Sequence, residues 1–302
     1  MPIQFIKNVP NFDFVAQRWW AFIATGLLVL ITIVSLATQG LNLGIDFKGG
    51  IVVEVKAAQA VDTAALRQQI QALNLGDVEI QQFGAPDTVL IRLQRQDGGE
   101  EAQNSAVAAV RASLGDTYEY RRVEVVGPRV GDELFKAGLM ATGIAMLMIA
   151  LYVTMRFEWQ FGLAALAATF HDVIVTIGLF AVLQLDFNLT AVAAILTLAG
   201  YSINDTVVVF DRIRENLRRS KNADLKQVIN DAVNQTLART LMTAGTTLLA
   251  LLPLVVFGGP TLLNFSLALT WGVVVGTFSS IYVAAALLLY MKPLRQLTPA
   301  RA

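Results

Sequence analysis

Six apolar runs dominate this chain: residues 19–38, 134–155, 160–183, 189–210, 240–258 and 262–290. A run of roughly 20 such residues crosses about 30 Å of hydrocarbon as a helix. In lipid every backbone N–H and C=O must be paired within its own segment, so runs like these fold as spanning helices. The composition agrees, with 55% of residues hydrophobic and 15% charged, too apolar for a soluble domain. The chain has no cysteine, which excludes disulfides, thiol nucleophiles and thiolate metal sites. Its single histidine, His171, cannot build a histidine cluster for zinc hydrolysis, and a net charge of zero gives no footprint for nucleic acid.

The basic residues set the topology. Lys7 and Arg18 precede the first run, and Arg156 lies between the second and third. Arg212, Arg214, Arg218, Arg219, Lys221 and Lys226 follow the fourth, Arg239 opens the fifth, and Lys292, Arg295 and Arg301 close the chain. The short opposite connections, 184–188 and 259–261, carry no Lys or Arg. By the positive-inside rule the ends 1–18 and 291–302 and the loop 211–239 are cytoplasmic, and 39–133 is a periplasmic domain. Trp19 and Trp20 stand at the first run's start, as interfacial aromatics do. Ser35-Leu36-Ala37 slightly resembles a signal-peptidase site. The run is longer than a usual signal core and 18 residues precede it, so it reads as a retained anchor.

Residues 44–126 read as a small α+β fold. Ile51 to Lys56 alternates like a strand, and Asp62 to Leu73 is a helix capped by Asp62 or Thr63. Val78–Phe83 and Thr88–Leu93 are strands joined by a Gly-Ala-Pro-Asp turn. A helix over Gly98–Leu114 and a strand over Tyr118–Val126 complete a βαββαβ order, that of the ferredoxin-like split motif. No acid or histidine cluster converges in it, so the domain reads as a binding module rather than a catalytic one.

Asp205 is the costly residue. It sits inside the fourth run, where an unpaired charge costs roughly 2.5–3.5 kcal/mol on insertion scales, so an intramembrane acid reads first as part of an ion or proton pathway. It lies about 8–9 Å along its helix from Asp211. Arg239, near the cytoplasmic end of the next span, has a compatible depth. An Asp205–Arg239 pair would keep the acid charged at rest, and separation would favour its neutral form by desolvation. A static staple between helices, or an arginine snorkelling to the headgroups, fits the same spacing. Tyr201, Ser202, Asn204 and Thr206 make the surroundings of Asp205 unusually polar. Thr236, Thr240, Thr243 and Thr247 share one face of the fifth span, although threonines also bond their own helix. His171-Asp172 lies about 18 Å from Gln160, midway through the third span. Asp172 reads as a relay member or a structural partner, and His171 as a shuttle or an interhelical donor. Gly272, Gly276 and Ser280, like Ala137, Ala141 and Ala145, form small-residue faces for close packing.

Taken in order, several segments resemble the SecF branch of the SecD/SecF protein-export family, part of the RND-type superfamily. They are Gly44-Ile45-Asp46-Phe47-Lys48-Gly49-Gly50, Val126-Gly127-Pro128, Arg156 to Trp159, His171-Asp172, Ala199 to Asn216, Arg239-Thr240 and Gly276 to Ser280. Lys48 departs from the commonest form of the first motif, which has threonine. The resemblance implies an RND-type half with six transmembrane helices and a SecD partner supplying the other half. It implies work with the SecYEG channel on an unfolded protein substrate at the periplasmic face of the bacterial inner membrane. The energy source it implies is the proton motive force, or sodium in some relatives, with no cofactor, no nucleic acid and no enzymatic activity. The family's intramembrane acid falls on Asp205 and its key arginine on Arg239, and the loop motif on Gly44, Asp46, Phe47, Gly49 and Gly50.

Other functions fit parts of the pattern. RND-type halves also move small molecules or ions, but a domain of about 90 residues leaves little room for a drug-sized tunnel. An aspartyl protease using Asp172 and Asp205 would want a Gly-x-Gly-Asp setting, which Ser202-Ile203-Asn204-Asp205 lacks. A scaffold would use both residues for assembly alone.

Overall fold

The computed structural model describes residues 9–76, 78–219 and 224–291. A spanning helix, α1 (Arg18–Thr38), leads through a short turn, α2 (Ile45–Lys48), into a small domain. The domain runs β1 (Gly50–Ala57), α3 (Thr63–Gln71), β2 (Val78–Phe83), β3 (Ala85–Leu93), α4 (Gly99–Leu114) and β4 (Tyr118–Val126). Five long helices follow: α5 (Pro128–Arg156), α6 (Trp159–Leu183), α7 (Leu189–Arg219), α8 (Leu225–Phe257) and α9 (Gly259–Ser279). Beyond Ser279 the last helix widens into a π turn at Ser280–Ala284, returns to α geometry over Ala285–Leu287 and tightens into a 3₁₀ turn at Leu288–Tyr290. Among the described residues six helices are long and apolar enough to cross a membrane.

The helices outrun their apolar cores. α5 starts at Pro128 rather than at residue 134, with proline in the first turn, where its missing N–H costs nothing. The segment 211–239, expected as a loop, is largely helical, since α7 runs to Arg219 and α8 begins at Leu225. Two reasons are visible. Arg212 and Arg219 pair with Glu215 at helical spacing. Ile229, Ala232 and Val233 bury one face of early α8 in a cluster with Phe14, Val15 and Phe210. The chain ahead of α1 is pinned there too, because Asn234 brackets Phe12 through its backbone and Asn230 holds Val15 and Asp13.

α7 is the hub, packed against α5, α6, α8 and α9. Glycines permit the closest approaches. A methyl on Gly178 of α6 would lie 1.9 Å from Thr32 Oγ1 of α1, and one on Gly272 of α9 would lie 2.5 Å from Leu198 of α7. The small-residue face of α5 behaves otherwise. Ala137 and Ala141 are exposed, and Gly138, between them, is the residue that meets α7, at Val192.

In the small domain the sheet order is β2-β3-β1-β4, with every neighbour antiparallel. Alternation along β1 sends Ile51, Val53 and Val55 into a core with Leu66, Ile70, Ile91, Val110 and Leu114. Asp62 is the cap of α3, accepting from the backbone N–H groups of Ala64 and Ala65. The β2–β3 reversal is tighter than the sequence suggests. Gly84, at φ 79°, turns the chain alone, Phe83 already pairs with Ala85, and Ala85–Asp87 belong to β3 rather than to a four-residue turn.

Candidate functional site

Helical spacing puts Leu198, Ser202, Asp205 and Val209 on the buried side of α7. Asp205 is 9% exposed. Its Oδ1 accepts from Thr240 Oγ1 of α8 at 2.7 Å, and its Oδ2 accepts from Ser280 Oγ at 2.7 Å. Within the threonine stripe of α8, Thr236, Thr243 and Thr247 donate to carbonyls of their own helix, and Thr240 alone turns to the acid.

Asp172 of α6 forms a second node and is fully buried. Its Oδ2 accepts from Ser202 Oγ of α7 and from Ser279 Oγ of α9, the latter at 2.7 Å, and its Oδ1 lies 3.0 Å from His171 Nδ1. Gly276 makes room for this contact, since a methyl there would lie 3.3 Å from Ser202 Cβ and 3.6 Å from Asp172 Oδ2. Both carboxylates are thus held by hydroxyls, with no Lys or Arg paired to either among the described residues. Ser202, Ser279 and Ser280 are the donors that sequence reasoning missed as such. Ser280 reads from spacing as a packing residue, and its signals are its place in the Gly276–Ser280 segment and a hydroxyl where glycine would serve packing equally well.

The expected Asp205–Arg239 contact is absent. Arg239 is exposed and forms no ion pair among the described residues. The reason is rotational, because Arg239 directly precedes Thr240 and one residue is about 100° around a helix. With Thr240 facing Asp205, Arg239 is turned to the side of the bundle. Asn204 is exposed for the same reason, one residue before Asp205. Thr206 is fully buried, and among the described residues neither its hydroxyl nor Nε2 of His171 has a hydrogen-bond partner. Tyr201 is half-buried beside Thr247. Thr243 serves its own helix.

A second assembly joins the small domain to the bundle. Phe47 is buried between the rings of Phe135 of α5 and Phe187, and Asp46 Oδ2 accepts from the N–H of Leu189, the first residue of α7. Gly44 N–H donates to Phe187 O, and Phe187 N–H to Asn42 O. A methyl on Gly50 would lie 2.8 Å from Leu93 O, so the motif's second glycine admits the chain into the sheet. From β3, Arg92 grips both carboxylate oxygens of Asp186 in the α6–α7 connection, with Glu79 nearby. Burial works against the charged guanidinium, and the Asp186 hydrogen bonds and charge, with Glu79 beyond, outweigh it and raise the Arg92 pKa.

The sequence matches the family model described as "Protein export membrane protein SecD/SecF, C-terminal" over residues 106–293, and that of the "SecD/SecF GG Motif" over 34–61. It is 47% identical over 296 residues to the protein translocase subunit SecF of Magnetococcus marinus, covering 96% of this chain and 95% of that one. To the SecF of Vibrio alginolyticus it is 42% identical over 288 residues, covering 95% and 91%. The crystal structure of SecDF from Thermus thermophilus, described as a translocon-associated membrane protein, superposes with a TM-score of 0.85 at 35% identity. That match covers 96% of this chain and 39% of the SecDF chain. SecDF in a super-membrane-facing form gives 0.70. The relatives are named as subunits of a protein translocase. With its six apolar helices, this is a multi-pass membrane protein. On the match of its C-terminal region, its loop motif and its near full-length relatives, the chain belongs to the SecD/SecF family of protein-export membrane proteins.

Proposed function

We propose that this chain is the SecF-type half of a complex that uses the proton motive force to promote protein export across the bacterial inner membrane. The observation that carries the reading is Asp205, a carboxylate enclosed by α7, α8 and the end of α9 and held by two hydroxyls rather than by a cation. Such a group changes charge without breaking an ion pair, and a neutral carboxyl draws the two hydroxyls less strongly than a carboxylate does. One charge crossing 100 mV provides about 2.3 kcal/mol, and each pH unit of gradient about 1.4 kcal/mol. Together these shift a two-state equilibrium by two to three decades.

The partner in this reading is a SecD-type half. Arg239, Asn204, Thr197 and Gly200 are exposed on the flank of α7 and α8, a polar surface in the span region that a second half would cover. SecYEG and an emerging unfolded chain complete the machinery, with both termini in the cytoplasm and the small domain in the periplasm. The clustering of Arg156, Arg214, Arg218 and Arg219 at the bundle end away from the sheet supports that orientation. The β–α–β–β–α–β order with antiparallel neighbours supports a ferredoxin-like reading of the domain. Protonation of Asp205 would release Thr240 or Ser280, repack α8 and α9 against α7, and reach the domain through the Asp46–Leu189 contact. Sodium is the alternative coupling ion.

The test is export in membrane vesicles carrying the whole complex. Asp205→Asn is expected to lose the stimulation given by a proton gradient while complex assembly persists. Full stimulation in that variant overturns the reading, and a response to a sodium gradient alone reassigns the ion.

A further inference from the structure

The two buried carboxylates accept from consecutive residues of one chain segment, Ser279 to Asp172 and Ser280 to Asp205, each at 2.7 Å. Each serine also has a second acceptor in its own helix. Gly276 O lies 3.1 Å from Ser279 Oγ, and Thr277 O lies 3.0 Å from Ser280 Oγ. The α pattern of α9 gives way to the π turn at Ser280, between these two contacts and the resumed helix at Ala285. Ahead of this junction α9 lies close against α7, with Gly272 beside Leu198 and Gly276 beside Ser202. Behind it the segment meets the start of the chain. Tyr282 packs edge-on against Phe14 at 5.4 Å, and the Tyr290 hydroxyl accepts from Arg18 Nε at 3.2 Å.

We propose that Ser279 and Ser280 are positioning residues through which the charge on Asp172 and Asp205 holds the π turn 280–284 in place. An ionised carboxylate only accepts, and it draws the hydroxyl away from the neutral helix carbonyl because charge-assisted hydrogen bonds are the stronger kind. A neutral carboxyl donates one proton of its own and pulls less. The serine then returns to its helix carbonyl, and the wide turn relaxes towards α spacing. Each residue of register lost rotates everything beyond it by about 100°. The rotation reaches Tyr282 and Tyr290, and through them Phe14 and Arg18 at the start of the chain.

The inference rests on reading Asp205 as a group that changes charge. Nearest along the chain to the two carboxylates are His171 of α6, bonded to Asp172, Tyr201 of α7, and Arg239 of α8, which is exposed. Asp211, Arg212, Arg214, Glu215, Arg218 and Arg219 lie further along α7, and Lys226 and Asp231 at the start of α8. Arg18 begins α1, Asp132, Glu133, Lys136, Tyr152 and Arg156 lie on α5, and α9 from Gly259 to Ser279 carries none.

Because the sequence has no cysteine, Tyr290→Cys gives a single attachment point for a trifluoromethyl tag. Fluorine spectra are recorded on the full complex in lipid vesicles. Asp205→Asn and Asp172→Asn are each expected to change the ratio of two tag signals by roughly tenfold, the factor for losing one hydrogen bond to a charged group. Ser280→Ala should reproduce the Asp205→Asn change and make that substitution silent, with Ser279→Ala doing the same for Asp172→Asn. Ser280→Thr, which keeps the hydroxyl, should restore the parent response and guards against a merely misfolded variant. The inference is overturned if Asp205→Asn still moves the tag in the Ser280→Ala background, or if neither asparagine moves it. Export assays separate this outcome from the functional reading. A moving tag with normal export of Asp205→Asn removes the export role and leaves the serine coupling, whereas lost export with a still tag does the reverse.

Discussion

Thr240 is the one threonine of its stripe whose hydroxyl turns to Asp205 among the described residues. Thr240→Val keeps the shape and removes the donor, so it leaves a buried carboxylate oxygen unserved at a cost of about 1–3 kcal/mol. Thr246→Val removes a hydroxyl that only back-bonds on an exposed face, and stays within about 0.5 kcal/mol. Unfolding curves in detergent compare the two. Outside the membrane, the Asn230 amide, then the Ala16 backbone N–H, hold the Asp13 carboxyl below its ordinary value of 3.8. A depressed carboxyl stabilises fully above that value and loses its contribution as pH falls through the folded one. Docking of the N-terminal segment on α8 should therefore be constant at neutral pH and weaken only in acid. Asn230→Ala should move the loss to higher pH, read from the reactivity of a thiol at Phe12→Cys. Asp172 and Asp205 were legible in the sequence because an acid in an apolar run stands out. The Arg239 contact was not, because depth along a helix says nothing of rotation about it, and one residue of phase gave the acid to Thr240 instead. The serines were hidden by being common and small.

Between elements, the decisive joint is that of β3 and α2 with the α6–α7 connection. Asp186 binds Arg92 of the sheet and receives the Asn42 side-chain amide at 3.0 Å, while its carbonyl accepts from Asn264. Asp186→Asn leaves a largely buried guanidinium short of its counter-charge. A loss of about 1–3 kcal/mol is expected, seen as faster proteolysis within the small domain while the spanning helices stay intact. Element types were readable from period together with caps and turn residues. Alternation marked β1, and a cap, Asp62, marked α3. Element lengths were less so. Hydropathy ends a span where charge begins, but α7 and α8 continue past that point, because their charges pair along the helix and early α8 has an apolar face of its own. The α2 turn carried no periodic signal at all, being four residues long.

At the scale of the whole molecule, the open flanks differ in character. α5 exposes Leu139, Met140, Ile144, Leu147, Met148 and Leu151, an apolar face suited to lipid. The α7–α8 flank instead exposes Thr197, Asn204 and Arg239. If that flank meets a second half, a cysteine at Asn204 should cross-link to the partner polypeptide in native membranes. A cysteine at Trp20, 77% exposed beside the membrane boundary, should not, and gel analysis after oxidation distinguishes them. The number of spans was legible in the sequence because lipid allows the backbone so few solutions. Which side of the bundle stays open was not, since exposure depends on how the helices turn about their axes. The hydrogen bond from Leu189 N–H to Asp46 carries the last consequence. From that contact to Asp205 runs an unbroken helix of about 24 Å. A helix is stiff along its axis, so α7 is a push-rod with the small domain seated on one end and a chargeable group part-way down its shaft. On the proposed function, an axial displacement at one point is carried to the other by the helix itself, with no contact needed between the small domain and Asp205.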